Sequence, residues 1–268
     1  MSGEPSRYAI VTGGGSGIGL AVARRLAADG HGVVVTGRRA EACDAAVDEL
    51  EATGHAALAV AADVGNPDDA GRVVATALER FGGIDVLVNN AGIADAGPVG
   101  EETPEGWERV MRTNLTGAFL MARAALPALI ERGGCVVNVS SMSGILAGPG
   151  WAAYCTSKAG LIMLTRSLAN DYGPQGVRAN CVCPGWVRTP MGDADMDQVA
   201  RRRGVDREGA YRLTHADNPL RRPGEAEEVA SVVSFLAGPD AAYVNGVALP
   251  VDGGTSVVDP TAARQFSP

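Results

Sequence analysis

The sequence YAIVTGGGSGIG, residues 8–19, decides the fold class. Its first half is a short β-branched and apolar run typical of a buried strand, and its second half is a glycine-rich turn that leads into a helical pattern. Glycine lets the chain turn sharply, and the free N–H groups at the start of the next helix bind an anion. The spacing matches neither Gly-x-Gly-x-x-Gly nor a Walker loop. The turn therefore favours a nucleotide phosphate site, with a ligand-free strand-to-helix turn as the alternative.

The same alternation of strand and helix continues along the chain. Seven short apolar runs are typical of parallel strands buried on both faces: Tyr8–Thr12, Val33–Thr36, Ala57–Ala61, Ile84–Asn89, Cys135–Ser140, Arg178–Val182 and Val247–Pro250. Six helical patterns separate them: Gly17–Asp29, Glu41–Thr53, Pro67–Phe81, Pro104–Glu131, Ala152–Tyr172 and Glu225–Ala237. This order predicts an α/β fold with one doubly wound, seven-stranded parallel sheet flanked by helices. No linker divides the chain, so we expect a single domain over residues 1–268.

Residues 191–222 interrupt this alternation. The segment is polar and rich in arginine, with acidic residues interspersed; its arginines are Arg201, Arg202, Arg203, Arg207, Arg212, Arg221 and Arg222. A long excursion late in a compact domain is typical of a lid or binding loop, which can contain short helices and is here a substrate lid, and a solvated surface excursion is the alternative. If the segment covers the site, its arginines are candidates for meeting an anionic group on the substrate.

Composition limits the partners and the location of the protein. The 268 residues carry a formal net charge of −8 without a basic stripe, so we predict no nucleic-acid partner and no anionic-membrane partner. The first seven residues lack an apolar signal region, and no apolar run approaches a membrane span, which predicts a cytoplasmic protein. Five cysteines without a Cys-x-x-Cys pair and three distant histidines indicate reduced thiols and no metal site.

Tyr154 and Lys158 form a candidate catalytic pair at the start of a predicted helix. Their i, i+4 spacing places both side chains on one helix face. A free phenol has a pKa of about 10, and a neighbouring ammonium favours the phenolate and lowers that value towards neutrality. The pair is therefore a candidate acid/base centre, although a surface pair has the same spacing.

Polar residues at two strand ends accompany this pair. The strand before it ends in Ser140-Ser141, and the fourth strand ends in Asn89-Asn90-Ala91-Gly92, at the sheet edge where open α/β folds bind ligands. A serine hydroxyl there can hold a substrate carbonyl beside the phenol. Asn114 lies inside a predicted helix, where asparagine is costly without a role. A structural, satisfied asparagine is the alternative.

The end of the second strand bears on the choice of nucleotide. An acidic residue at this point binds the adenosine ribose hydroxyls of NAD and disfavours a 2′-phosphate. The chain instead reads Val35-Thr36-Gly37-Arg38-Arg39, without a carboxylate. A guanidinium at Arg38, assisted by Arg39, matches the charge and planar geometry of a 2′-phosphate. This pattern favours NADP over NAD, with two solvated arginines at a strand end as the alternative.

Taken together, these motifs resemble the short-chain dehydrogenase/reductase family, in its shorter-subunit branch. The resemblance covers residues 8–254 and keeps the family's motif order: Thr12-Gly13-x-x-x-Gly17-x-Gly19, Asp63, Asn89-Asn90-Ala91-Gly92, Asn114, Ser141, Tyr154-x-x-x-Lys158 and Pro184-Gly185-x-Val187-x-Thr189. It implies a Rossmann fold and an NAD(P)-dependent enzyme that interconverts a ketone and a secondary alcohol by hydride transfer. We expect a ketone reductase.

The resemblance also implies a role for each catalytic residue. Tyr154 is expected to be the acid/base that exchanges a proton with the substrate oxygen, while Lys158 lowers the pKa of this phenol and binds the nicotinamide ribose. Ser141 is expected to orient the substrate oxygen. Asn114 is expected to support a water-linked proton relay that reaches Lys158. All four positions are filled, so the resemblance predicts an active enzyme.

The cofactor contacts are implied in the same way. Asp63 and Val64 are expected to frame the adenine, Asn90 to hold the adenosine-side ribose, and Val187 and Thr189 to contact the carboxamide. The full set of expected cofactor residues is Gly13, Ser16, Gly17, Ile18, Gly19, Arg38, Arg39, Asp63, Val64, Asn90, Ala91, Gly92, Tyr154, Lys158, Pro184, Gly185, Val187 and Thr189. Ser16 stands where some NADP-dependent relatives carry a basic residue, so the 2′-phosphate assignment rests on the two arginines.

The residues expected around the substrate are mostly apolar or small, which suggests a ketone or alcohol with a hydrophobic body: Ile93, Ala94, Ser143, Gly144, Ile145, Leu146, Trp151, Trp186 and Met191. Family analogy suggests a homotetramer. Two alternatives stay open, namely an NAD-dependent alcohol dehydrogenase working in the oxidative direction and a non-catalytic Rossmann binding protein.

Overall fold

A computed structural model of the chain describes residues 5–95 and 97–259. The ends of the predicted single domain, residues 1–4 and 260–268, lie outside the described residues. The first four of the seven residues that lack an apolar signal region are among them. In the described part the strands are Arg7–Thr12 (β1), His31–Gly37 (β2), Ala57–Ala61 (β3), Val86–Asn89 (β4), Cys135–Val139 (β5), Arg178–Pro184 (β6), Val187–Arg188 (β7), Gly224–Glu225 (β8) and Ala248–Val251 (β9).

The main sheet confirms the predicted seven parallel strands. Its order is β3-β2-β1-β4-β5-β6-β9, so the chain starts in the middle, builds outwards to β3 and then crosses over to β4. In register, Ile10 of β1 lies between Val34 of β2 and Leu87 of β4. The strand order reverses between β1 and β4, and open α/β sheets bind their ligands outside the carboxyl ends of the strands at such a point.

Helices cover both faces of this sheet, as predicted. They are Gly17–Ala28 (α1), Ala40–Ala52 (α2), Pro67–Phe81 (α3), Pro104–Met111 (α4), Gly117–Arg132 (α5), Ala152–Tyr172 (α6), Pro190–Arg203 (α7), Arg207–Thr214 (α8) and Ala226–Ala237 (α9). Successive strand residues point to opposite faces, so Val11 packs with α1, α2 and α9 while Ile10 packs with α3, α5 and α6. The described residues therefore form two main apolar cores with the sheet between them.

The predicted helix over residues 104–131 is observed with an irregularity. Arg112–Thr116 form a π-helical stretch between α4 and α5, and Asn114 lies at its centre. Together these three segments form one helical stretch, Pro104–Arg132, which is 29 residues long. By length and composition alone it is apolar enough to cross a membrane, and half of its most apolar part is buried inside the fold. The expectation that no apolar run approaches this length was therefore wrong. The inward face of α5 packs into the core through Met121, Ala125 and Leu129.

Residues 191–222 contain helices, as the sequence reading of this segment allowed. Helices α7 and α8 pack on each other around a small apolar cluster formed by Met196, Ala200, Ala210 and Tyr211. The two-residue strands β7 and β8 pair in parallel on either side of this helix pair, and no sequence pattern predicted them. Their hydrogen bonds hold the beginning and the end of the excursion together.

The cysteines are free thiols, as predicted. Cys43, Cys135, Cys181 and Cys183 are buried, and Cys155 is partly exposed. Burial raises the pKa of the Cys135 thiol to about 11, so this side chain behaves as a small apolar residue at neutral pH.

Candidate active site

A cleft runs along the carboxyl ends of β1, β2, β4 and β5 and begins at the glycine-rich turn. Helix α1 starts at Gly17, and the side chain of its N-cap residue, Ser16, makes no capping hydrogen bond. Gly13 adopts a φ of 65°, and a Cβ on Gly19 would lie 2.2 Å from the Gly13 carbonyl oxygen. The close approach of turn and helix therefore requires glycine at Gly19. The backbone amides of this turn and helix end fit the pyrophosphate of a dinucleotide.

The structure brings most of the predicted cofactor residues together around this cleft. Those that line it are Gly13, Ser16, Gly17, Ile18, Arg38, Arg39, Asp63, Val64, Asn90, Ala91, Gly92, Tyr154, Lys158 and Thr189. Several lining residues were not among the predicted cofactor positions: Gly15, Gly37, Ala42, Cys43, Ala62, Ile93, Thr113, Val139, Ser140, Pro190 and Met191. Of these, Ile93 and Met191 had been assigned to the substrate side. The others lie within four residues of predicted site residues along the chain.

Six predicted site positions do not line the cleft in this structure: Gly19, Asn114, Ser141, Pro184, Gly185 and Val187. Gly185 packs against Asp252, since a Cβ there would lie 3.0 Å from the Asp252 Cα atom. Val187 is buried in the core beside α9. The cofactor contacts of these two residues remain predictions.

Two arginines stand at the β2 end of the cleft. Arg38 and Arg39 are exposed, and Arg39 donates a hydrogen bond to the Ser16 hydroxyl at 3.1 Å. Among the described residues, Asp63 is the one carboxylate in the cleft lining, and an oxygen of it accepts a hydrogen bond from the Gly65 amide at 3.0 Å. This end of the cleft therefore presents positive charge.

Hydrogen bonds of Asn90 and Thr12 connect the end of β4 to the glycine-rich turn after β1. The Asn90 side-chain amide donates to the Thr12 carbonyl oxygen at 2.9 Å and to the Gly13 carbonyl oxygen at 3.3 Å. The Thr12 hydroxyl accepts from the backbone amides of Asn90 and Ala91, both at 3.0 Å. Sequence reasoning did not find this function of Thr12, although the residue ends the first strand directly before the turn.

Tyr154 and Lys158 lie on one face of α6, as their spacing predicted. Tyr154 is half-buried, and the ammonium nitrogen of Lys158 lies 5.7 Å from the centre of its ring. Lys158 is buried and donates a hydrogen bond to the Val139 carbonyl oxygen at 2.8 Å. Burial lowers the pKa of Lys158 to about 8, because desolvation penalises the ammonium.

The pKa of the Tyr154 phenol shifts upward, in the direction opposite to the sequence expectation. Burial raises the pKa of Tyr154, and the hydrogen bond with the Ser141 hydroxyl opposes this rise. Desolvation dominates this shift, and the Lys158 ammonium donates to the Val139 carbonyl oxygen, so the lowering expected from Lys158 stays a prediction. The Tyr154 phenol is therefore protonated at neutral pH.

Asn114 and Ser141 border this pair. The Asn114 side chain accepts from the Ile93 amide at 2.8 Å and donates to the Ile93 carbonyl oxygen at 2.9 Å and to Ser157 at 3.0 Å. Gly92 separates Asn114 from Lys158, since a Cβ there would lie 3.3 Å from the lysine nitrogen and 3.4 Å from the asparagine oxygen. Asn114 and Lys158 thus face the same small space, and the water-linked relay between them remains a prediction.

The two serines that follow β5 have different functions: Ser140 holds α6 against the sheet, whereas Ser141 lies beside Tyr154. Ser140 is buried and its hydroxyl donates to the Lys158 carbonyl oxygen at 2.8 Å, which fixes α6 against β5. The Ser141 hydroxyl accepts from the Ser143 amide at 3.1 Å and caps the short turn Met142–Gly144. Ser141 is therefore held in place beside Tyr154, as a substrate-orienting hydroxyl would have to be.

The start of α7 borders the cleft and packs against the glycine-rich turn. Thr189 caps this helix by accepting from the Gly192 amide at 3.1 Å, and its side-chain carbons would lie 3.3 Å from a Cβ on Gly17. The arginines of residues 191–222 do not line the cleft. Arg207 instead binds Asp197 with bonds of 2.7 and 2.8 Å, and Arg222 binds Glu228. The suggestion that these arginines meet an anionic substrate is therefore not supported.

A parallel sheet with a phosphate-binding turn at its switch point, and a phenol–ammonium pair beside it, defines a dinucleotide-dependent oxidoreductase. Residues 13–256 match the family model described as enoyl-(acyl carrier protein) reductase. The chain belongs to the short-chain dehydrogenase/reductase family, as the sequence motifs indicated. Members of this family bind NAD or NADP and act as dehydrogenases or reductases on CH–OH groups.

Three comparisons illustrate this relationship. The chain is 42% identical over 265 residues to 2-(R)-hydroxypropyl-CoM dehydrogenase of Xanthobacter autotrophicus, covering 94% of this chain and 100% of the relative. It superimposes on the crystal structure of levodione reductase with a TM-score of 0.90 at 36% identity, covering 95% of this chain and 99% of that one. A variant of actinorhodin polyketide ketoreductase, solved with NADPH, gives 0.90 at 38% identity, with coverages of 95% and 98%.

Proposed function

We propose that the protein is an NADPH-dependent reductase of ketones, with Tyr154 as the proton donor. The observation that carries this proposal is the single cleft that contains the glycine turn, Tyr154 and Lys158. A bound nicotinamide dinucleotide supplies the hydride, which the side chains of the chain cannot do. The oxidoreductase function agrees with the family to which the chain belongs.

The protonation state of the phenol supports the reductive direction. Burial raises the pKa of Tyr154, so the group holds its proton at neutral pH and can donate it to a substrate carbonyl oxygen. In this proposal the Ser141 hydroxyl orients that oxygen, and Asn114 supports a proton relay towards Lys158. The reverse reaction, oxidation of the alcohol, requires the phenolate and is expected to become faster as the pH rises.

A pair of tyrosine variants tests this mechanism. In Tyr154→Phe we expect kcat for ketone reduction to fall by about 100-fold or more, since positioned acid catalysis contributes on the order of 10²–10⁴. Tyr172→Phe, at the other end of the same helix, serves as the matched control and is expected to keep its rate. The screen uses cyclic, aromatic and acyl-thioester ketones and follows NADPH oxidation. A Tyr154→Phe enzyme as fast as the wild type would refute the proposed role.

The preference for NADP is supported by the charge at the β2 end of the cleft. Arg38 and Arg39 are exposed there, Gly37 is followed directly by these two arginines and not by a carboxylate, and Arg39 reaches the glycine turn through Ser16. Guanidinium groups bind phosphate oxygens through paired, charge-assisted hydrogen bonds. The related actinorhodin ketoreductase structure was solved with NADPH. We therefore assign the 2′-phosphate to these two arginines.

Cofactor kinetics test this assignment. We expect Arg38→Ala to lower kcat/KM for NADPH by about tenfold or more, because a hydrogen bond to a charged group contributes about 1.5–3 kcal/mol. The value for NADH should change little. Arg24→Ala removes an arginine that pairs with Glu49 on the outside of α1 and provides the control. An NADPH preference that survives both Arg38→Ala and Arg39→Ala would contradict the assignment.

We propose further that the chain acts as a cytoplasmic homotetramer of single-domain subunits and that residues 191–222 form a lid over the substrate. Support for the lid comes from Met191, which lines the cleft, and from Thr189, which packs against the glycine turn. The tetramer rests on family analogy. Light scattering after size-exclusion chromatography measures the oligomer mass, and a monomeric mass would rule the tetramer out.

A further inference from the structure

Ser157 lies directly before Lys158 on α6, and its side chain is fully buried. Its hydroxyl donates a hydrogen bond to the Tyr154 carbonyl oxygen at 2.8 Å and accepts one from the Asn114 side-chain amide at 3.0 Å. A serine hydroxyl has one proton to donate, so the bond to the Tyr154 carbonyl leaves its lone pairs available to the Asn114 amide. Ser157 therefore contacts two of the four proposed catalytic residues without lining the cleft itself.

The Asn114 amide is held from two sides. The backbone of Ile93, in the loop after β4, donates to the amide oxygen at 2.8 Å and accepts from the amide nitrogen at 2.9 Å. These two bonds fix Asn114 relative to that loop. Among the side-chain hydrogen bonds in the described part of the chain, the bond to Ser157 is the one that joins Asn114 to α6. Ser157 therefore sets the position of Asn114 relative to the helix that carries Tyr154 and Lys158.

The packing beside Ser157 brings α6 and the π-helical stretch Arg112–Thr116 close together. Gly160 follows Ser157 by three residues, so both lie on the same face of α6. A Cβ on Gly160 would lie 2.8 Å from a terminal carbon of Leu115, the residue after Asn114. The π-helical stretch therefore packs directly on this face, and Asn114 is buried. Such π-helical turns occur frequently at functional sites. Gly160 allows the close packing, and the Ser157 hydroxyl adds a specific hydrogen bond to it.

The hydrogen bonds of Asn114 also decide which of its atoms is available to the site. Both hydrogens of the amide nitrogen are used, one by the Ile93 carbonyl oxygen and one by Ser157. The amide oxygen accepts one bond, from the Ile93 amide, and keeps a second lone pair. A Cβ on Gly92 would lie 3.4 Å from this oxygen and 3.3 Å from the Lys158 ammonium nitrogen, so the two atoms border one small space. Asn114 therefore offers an acceptor to that space.

We propose that Ser157 is a positioning residue of the active site, which holds the Asn114 oxygen at a fixed place beside the Lys158 ammonium. Ser157 takes up no proton in this proposal and touches neither substrate nor cofactor. It acts through Asn114, by keeping the amide nitrogen bonded to α6. A buried amide N–H without an acceptor is costly, so removal of the hydroxyl makes the Asn114 side chain shift towards another acceptor. The inference rests on the proposed function, because it explains how one of the proposed catalytic residues is kept in place.

Steady-state kinetics test the positioning role, with the ketone that the wild-type enzyme reduces fastest in the screen above. In Ser157→Ala we expect kcat to fall on the order of tenfold or more, because a displaced Asn114 supports the proton relay less well. KM for NADPH and for the ketone should stay near the wild-type values, since Ser157 does not line the cleft. Ser157→Thr keeps the hydroxyl and should recover most of the rate. Ser167→Ala, at an exposed position of α6, is the control and should match the wild type.

A double variant shows whether the effect of Ser157 passes through Asn114. If it does, Ser157→Ala/Asn114→Ala should be as slow as Asn114→Ala alone, because the effects of residues in one hydrogen-bond network are not additive. A double variant about tenfold slower than Asn114→Ala would show that Ser157 acts independently of Asn114, and this result would overturn the proposal. A Ser157→Ala enzyme with the wild-type kcat would overturn it as well.

Crystal structures of the wild type and of Ser157→Ala give a measurement that needs no turnover. We expect the Asn114 oxygen in the variant to lie about 1 Å or more from its wild-type position relative to Lys158, a displacement of the size that lowers catalytic rates. An unmoved Asn114 would refute the positioning role. Ketone reduction that depends on Tyr154 but not on Ser157 would leave the proposed function intact and refute this inference. A displaced Asn114 in an enzyme that reduces none of the ketones would support the inference and contradict the proposed function.

Discussion

Lys158 is a buried ammonium whose side chain donates to one carbonyl oxygen, that of Val139. Burial lowers its pKa from 10.5 to about 8, which corresponds to a free-energy cost on the order of 3 kcal/mol for the charged form in the folded protein. Below pH 8 the lysine is charged in both the folded and the unfolded state, so this cost is fully present. Between pH 8 and about 10.5 the folded state releases the proton first, and the cost disappears.

We therefore expect Lys158→Met to be inactive but more stable than the wild type at pH 7. Methionine keeps an unbranched side chain without charge, and the lost hydrogen bond offsets about 1 kcal/mol of the gain. Urea denaturation of both proteins at pH 7, 8, 9 and 10 measures the difference in unfolding free energy. That difference should shrink as the pH rises from 8 to 10, because the wild type gains stability there. A variant that is less stable than the wild type at every pH would show that the ammonium is not destabilising.

At the scale of elements, a buried polar row connects the sheet to the helix that carries Tyr154. The Asn89 amide of β4 donates to Asn138 of β5 at 2.9 Å, and Asn138 donates to Thr165 of α6 at 2.8 Å. Thr165 in turn donates to the Leu161 carbonyl oxygen at 2.8 Å. All three side chains of the row are buried. The row fixes the relative positions of β4, β5 and α6, whose ends form the cleft.

Asn138→Val is expected to lower the free energy of unfolding by about 1–3 kcal/mol, because it leaves the Asn89 amide with one weaker partner, the Ala118 carbonyl oxygen at 3.3 Å. The double variant Asn89→Val/Asn138→Val removes both polar groups. Its loss should be smaller than the sum of the two single losses by about 0.5 kcal/mol or more. Denaturation of the four proteins measures this coupling. Strictly additive losses would mean that the two asparagines do not act together.

At the scale of the whole molecule, the seven strands and the helices between them were predictable because each strand is a continuous apolar run that only burial on both faces explains. The small β7–β8 sheet was not predictable, since two-residue strands leave no periodic pattern. The functional site likewise has features that local sequence patterns predict and features that they do not. The glycine turn and the Tyr154–Lys158 spacing are local signals, whereas the Thr12–Asn90 contact and the path of the Lys158 ammonium depend on which strands become neighbours. The raised pKa of Tyr154 depends on burial, which no local motif encodes.

The packing of α7 on α8 determines how the proposed lid should respond to a cofactor. The two helices share their own apolar cluster around Met196 and Tyr211, and the exposed pair of Arg207 with Asp197 adds little stability. Because Thr189 begins this unit and packs against the glycine turn, a bound dinucleotide should restrain both helices together.

Hydrogen exchange of the backbone amides with and without saturating NADPH measures this response. We expect exchange in Pro190–Arg203 and in Arg207–Thr214 to slow by a similar factor, about tenfold, although α8 does not line the cleft. The amides of Cys135–Val139, already buried in the sheet, provide the control and should change little. Slowing confined to α7 would mean that the two helices open separately. Unchanged exchange in both would mean that the bound dinucleotide does not restrain this segment through Thr189, in contradiction to the contact with the glycine-rich turn.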